Sequence, residues 1–114
     1  MSDAEQIHAK YVGETCNIAV GFIDVLDDGE LLTGTPTVAE VSAPSPGLAF
    51  ASAAVNTTAK TIDGISHAIG QAVVCSVSGG TAGARQIKIT CSTDATPAQT
   101  RIKVIDLIVE AEPV

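Results

Sequence analysis

Three cysteines, two histidines and one tight cluster of carboxylates are the groups in this 114-residue sequence with the most chemistry to offer. Cys16, Cys75 and Cys91 lack CxxC spacing and have no histidine close by, so neither a zinc site nor a thiol-redox pair is indicated. If the chain folds back symmetrically about Gly83, Cys75 and Cys91 face each other on neighbouring strands, and a disulfide between them is conceivable. Their odd number and the lack of an export signal favour buried thiols acting as small hydrophobes.

His67 stands between Ser66 and Ala68, but a serine nucleophile needs a base at hydrogen-bond distance and a carboxylate to orient that base. The spacing supplies no such triad, so His67, like His8, is expected on the surface and no catalytic residue is expected. Asp24, Asp27, Asp28 and Glu30 crowd several carboxylates into one short span, as calcium-binding loops do. They do not match the alternate positions and terminal Glu of an EF-hand, so a solvated turn is expected, with no metal site and no cofactor. Whether Asp27–Glu30 takes an ion is left open. Gly79-Gly80-Thr81-Ala82-Gly83 resembles a phosphate loop only in its glycines: no Lys-Ser/Thr follows, and a strand pattern rather than a helix comes next. These five residues predict a hairpin turn, because glycine accepts positive φ at almost no steric cost.

Period-2 alternation must supply the elements that hold these groups. Thr15 to Phe22 places Cys16, Ile18, Val20 and Phe22 on one face, the signature of a half-buried strand. Asp27-Asp28-Gly29 reads as a turn, and Thr35 to Val41 as a strand with Pro36 at its start or on a sheet edge. Ala43-Pro44-Ser45-Pro46-Gly47 breaks the chain. Weaker strands are expected at Leu48 to Ala53 and Thr57 to Ile65, with room for a helical turn in the Ala-rich stretch between. Ala72 to Ser78 and Gln86 to Thr93 alternate clearly, with Val73, Cys75, Val77, Ile87, Ile89 and Cys91 inward, and the two are expected to pair as a hairpin. Arg101 to Glu110 ends the series with a phase change: Ile102 and Val104 share one parity, whereas Ile105, Leu107 and Val109 share the other. Either a bulge lies near Val104-Ile105, or the second half is covered on both faces by a partner, which makes Ile105, Leu107 and Val109 a candidate interface.

About seven short strands with regular turn signals predict an all-β fold, an immunoglobulin-like antiparallel β-sandwich over residues 15–110. A flexible arm, residues 1–14, is expected before it and a short tail, residues 111–114, after it. Composition agrees: twelve Val, eleven Ile and twelve Thr against five Leu favour pleated surfaces over helices. The first residues do not read as a secretory signal, and no apolar run approaches the roughly 20 residues that a bilayer requires, so no membrane partner is expected. Thirteen acidic residues against six basic ones, a net charge of −7, with no cationic patch, argue against nucleic acid as a partner. Only Tyr11, Phe22 and Phe50 are aromatic, which leaves few rings for stacking on bases or sugars.

An ordered series of short motifs goes further. Gly13-Glu14 leads into a strand, Asp24 and Leu26 precede Asp28-Gly29-Glu30-Leu31-Leu32-Thr33-Gly34, then come Pro46-Gly47-Leu48 and Val77-Ser78-Gly79-Gly80-Thr81-Ala82-Gly83. This series, over roughly residues 13 to 110, resembles the phage fiber-tail adaptor proteins, small Ig-like components of tailed-phage virions. The aromatic residue that often follows the glycine turn in that family is missing from Ala84-Arg85-Gln86. The resemblance implies a homo-oligomeric virion protein without enzymatic activity, assembled in the bacterial host cytoplasm. It would join tail, neck or fibre parts by surface complementarity, its partners being copies of itself and other virion proteins. A capsid decoration protein of the same fold is the alternative, and a cell-surface adhesive or carbohydrate-binding module is a third reading.

Overall fold

Strands dominate the computed structural model, which describes residues 7–41, 47–62 and 64–111. In chain order they are β1 (Ile7–Tyr11), β2 (Cys16–Gly21), β3 (Leu32–Glu40), β4 (Leu48–Val55), β5 (Lys60–Ile62), β6 (Ile65–His67), β7 (Ala72–Gly79), β8 (Gly83–Thr93) and β9 (Thr100–Glu110). One turn of 3-10 helix, Ile23–Val25, follows β2. The fold is all-β, as expected.

A four-stranded sheet in the order β1-β9-β8-β3 faces a three-stranded sheet in the order β2-β7-β4, and β5 and β6 form a small separate hairpin. The two larger sheets come together along β3 and β4, giving a half-barrel. One expectation is corrected at once: β1 lies within the segment read as a flexible arm, yet it runs parallel to β9, from Ile7 opposite Asp106 to Tyr11 opposite Glu110. The larger sheet is therefore mixed rather than purely antiparallel. Lys10 hid this strand, because a lysine occupies its inward position. Its side chain is buried, and its ammonium donates to the carbonyls of Tyr11 at 2.8 Å and Val12 at 3.3 Å.

Alternation sends one parity of each main strand into a shared core. Ile18 and Val20 of β2, Val73, Cys75 and Val77 of β7, and Ile87, Ile89 and Cys91 of β8 pack there with Phe22 and Leu32. Full burial of such a branched side chain is worth roughly 1.5–3 kcal/mol, so this common interior is what holds the two sheets face to face.

β9 joins the same interior. Its pairing with β8 is continuous from Val109 opposite Gly83 to Thr100 opposite Ser92, so no bulge accounts for the phase change. Ile105, Leu107 and Val109 are 2%, 0% and 2% exposed, inside the chain's own core. They are not an exposed interface, and that expectation is corrected. Arg101 and Lys103 share their parity and end in ion pairs, while Ile102 and Val104 face outward.

The expected hairpin between β7 and β8 is also corrected. β7 pairs with β2 and β4, and β8 with β3 and β9, so Gly79-Gly80-Thr81-Ala82-Gly83 carries the chain from one sheet to the other. Alternation on both flanks reports which face is buried, not which strand is adjacent. Cys75 and Cys91 consequently sit in different sheets, and all three thiols are free.

Smaller departures follow from local backbone. β3 begins at Leu32 and shifts register between Thr33 and Thr37, a stretch that contains Gly34 at φ 78° and Pro36. Thr57 to Ile65 is not one strand: a bend precedes β5, and the chain then turns back into β6. Most of the proline-rich break, the residues after Ala111, and Asp63 lie outside the described residues, as does the first part of the expected arm.

Candidate functional site

The acidic turn is held by cations from β9. The Arg101 guanidinium donates from Nε to Glu30 Oε1 at 2.9 Å and from Nη2 to Glu30 Oε2 at 3.1 Å, and Nη2 also reaches Asp27 Oδ2 at 3.1 Å. Lys103 Nζ donates to Asp24 Oδ1 and to the Gly21 carbonyl, both at 2.7 Å. Because Arg101 and Lys103 share the inward parity of β9, their charges emerge where the turn passes. Glu30 itself is buried, and the Asp27 N–H donating to its carboxylate, with Arg101 beside it, holds its pKa below the usual carboxylate value. Three of the four carboxylates that suggested calcium are thus committed to side-chain cations, and Asp28 stays exposed. Among the described residues no three or more His, Cys, Asp or Glu side chains converge as a metal site would require.

His67 contradicts its expected surface position, being only 3% exposed. Gly21 makes the room, since the ring occupies the space where a Cβ on that residue would project. The His67 Nδ1 lies 2.9 Å from the Ile65 carbonyl, no carboxylate among the described residues is hydrogen-bonded to the ring, and Ser66 faces solvent. His8 belongs to β1, and its side chain is outside what is described.

Asn56 is the residue that sequence reasoning missed. It is buried between β4 and β5, donates from Nδ2 to the carbonyls of Thr58 and Ala68, and accepts at Oδ1 from the N–H groups of Gly70, Gln71 and Ala72. One side chain thereby fixes both ends of the β5-β6 excursion. Its only sequence signal is an Asn at the end of a strand, where such residues bond to neighbouring backbone.

The glycine segment serves structure. Arg85 Nη1 donates to the Thr81 carbonyl at 2.8 Å, and the same guanidinium pairs with Glu40, which in turn accepts from the Leu48 N–H at 3.0 Å. Burial raises the pKa of Cys16, Cys75 and Cys91, reaching about 11 at Cys75, so none is an activated nucleophile.

Two surfaces remain. A shallow groove of about 380 Å³ lies against the β2-β7-β4 sheet, with Asn17, Ser52, Lys60 and Ser76 as its polar lining. The outer face of the β1-β9-β8-β3 sheet is apolar for its position: Ile102, Val104 and Ile108 on β9 are 50%, 46% and 38% exposed, with Tyr11 and Val41 exposed as well. Such an arrangement suits a partner that covers branched side chains. Comparison of the chain with protein-family models, with curated proteins and with solved structures returns no match.

Proposed function

We propose that this chain is a structural protein of a tailed-phage virion, a homo-oligomeric adaptor that joins tail, neck or fibre parts through protein–protein contacts and carries out no catalysis. The observation that carries this reading is the contrast between its ionic and apolar surfaces. Arg85, Arg101 and Lys103 are spent on partners within the fold, whereas Ile102, Val104 and Ile108 stand uncovered on one sheet face. The motif series from Gly13 to Gly83 supplies the family, and the fold is proposed to be of the immunoglobulin type. The strand order supports that: β9-β8-β3 facing β2-β7-β4 corresponds to the G-F-C and B-E-D sheets of such domains.

Mass spectrometry of purified particles, followed by single-particle reconstruction, tests this reading. The expected result is the chain in the virion at tens of copies or fewer, at a tail, neck or fibre joint. Hundreds of copies spread over the capsid would replace the adaptor with a decoration protein. Absence from particles, glycan binding or measured turnover would overturn it.

A further inference from the structure

We propose that the outer face of the β1-β9-β8-β3 sheet pairs with the same face of a second copy about a two-fold axis. The proposal rests on the docking reading above and names the partner of that surface.

Strand register lays the face out row by row. Ile102 stands opposite Thr90, Val104 opposite Lys88, Asp106 opposite Gln86 and Ile108 opposite Ala84. On the flanks, Ala39 continues the row of Lys88, and Ala9 the row of Ile108. Most of these side chains are small or branched, so the face is shallow and admits the close approach of another sheet.

Charge separates this face from the rest of the molecule. The chain carries −7 overall, and Asp24, Asp27, Asp28 and Asp94 gather around one end, where a second copy would meet repulsion. The sheet face instead carries Lys88 close to Asp106, both exposed and, among the described residues, without an ion-pair partner. The two are diagonal neighbours on β8 and β9. A two-fold axis passing between them seats Lys88 of each copy on Asp106 of the other, and Val104 then falls beside the axis. A face that carries both members of a pair is complementary to itself, which is what an isologous contact requires.

The area suffices. Three to four strands at about 4.8 Å spacing, over about ten residues of 3.4 Å each, give roughly 500–650 Å² per copy. Two copies together bury roughly 1,000–1,300 Å², at or above the approximate 1,000 Å² that marks a specific interface.

Sedimentation velocity on the full chain, over a concentration series, tests the proposal. The expected result is a reversible monomer–dimer equilibrium. Val104→Asp weakens it by about tenfold or more while the variant monomer keeps the wild-type far-UV circular dichroism spectrum, because the side chain is 46% exposed on the outer face. Lys88→Glu and Asp106→Lys each weaken it, and the Lys88→Glu/Asp106→Lys double variant restores it. A wild-type chain that stays monomeric to about 1 mM overturns the interface, as does association that all four variants leave unchanged. Neither outcome touches the docking reading, which the content of purified particles decides.

Discussion

Arg85 on β8 and Glu40 at the end of β3 form a two-pronged ion pair in which each side chain is only 4% exposed. The pair lies beneath the glycine crossover and also satisfies the Leu48 N–H, so it joins three parts of the chain. Arg85→Met strands the Glu40 carboxylate, and a loss of about 3–5 kcal/mol is expected in urea denaturation. Replacing both residues by Met should cost much less than the two single changes together. Additive losses would show that the two side chains are not energetically coupled.

Gly80 and Gly83 lie at opposite ends of the crossover and differ in surroundings. Gly80 has φ 89°, and a Cβ there would come 2.7 Å from Leu48 Cδ2, whereas Gly83 has φ 139° with nothing within 4 Å. Valine at either position should cost roughly 1–3 kcal/mol through backbone strain. The loss at Gly80 should be the larger, because Leu48 must also move. Thermal melts of Gly80→Val and Gly83→Val check the order, and equal melting temperatures would contradict the steric account.

Burial governs the thiols. At pH 8, iodoacetamide should modify half-buried Cys16 first and reach Cys75 and Cys91 only as fast as the domain opens. Desolvation raises the Cys75 pKa from 9.0 to about 11, so the folded chain holds a proton that the unfolded chain releases earlier. Its stabilising contribution is complete below the unfolded value and is lost as pH rises from about 9 to about 11. Cys75→Ala should flatten that alkaline decline in a pH series of melts.

Glu30 acts at the other end of the scale. Its folded pKa is depressed, first by the Asp27 N–H and then by Arg101, so its contribution is complete above the ordinary carboxylate value of 4.5 and disappears as pH falls through the lowered one. Glu30→Gln should melt earlier than wild type at pH 7, and the two curves should converge toward pH 2. A constant gap between them across that range would count against the assignment.

Alternation of branched residues made β2, β7, β8 and β9 legible, with their inward sets, since a side chain's parity follows from the strand period alone. Partners were illegible: Val73, Cys75 and Val77 would look the same in a hairpin with β8 as in the observed sheet with β2 and β4. Charged residues at inward positions defeated the reading elsewhere. Lys10 concealed β1, while Arg101 and Lys103 made the buried parity of β9 look like the solvent face. The candidate surface was misplaced for that reason. Ile105, Leu107 and Val109, the candidate interface if a partner covers β9, lie in the core, and Ile102, Val104 and Ile108 are the ones exposed. His67 was missed because nothing in its own neighbourhood announces that Gly21, far away in the chain, leaves space for a ring.

The parallel pairing of Ile7–Tyr11 with Asp106–Glu110 couples segments about 100 residues apart in the chain. On a ribosome that delivers the chain from its N-terminus, β1 emerges while β9, its sheet partner among the described residues, is still unmade. It must therefore wait until the residues between the two strands are made, and the large ring that it closes slows the step. Until then, the main-chain edge of Asp106–Glu110 stays open to any other strand nearby. Docking of β1 is thus also the point at which one copy could exchange that strand with another.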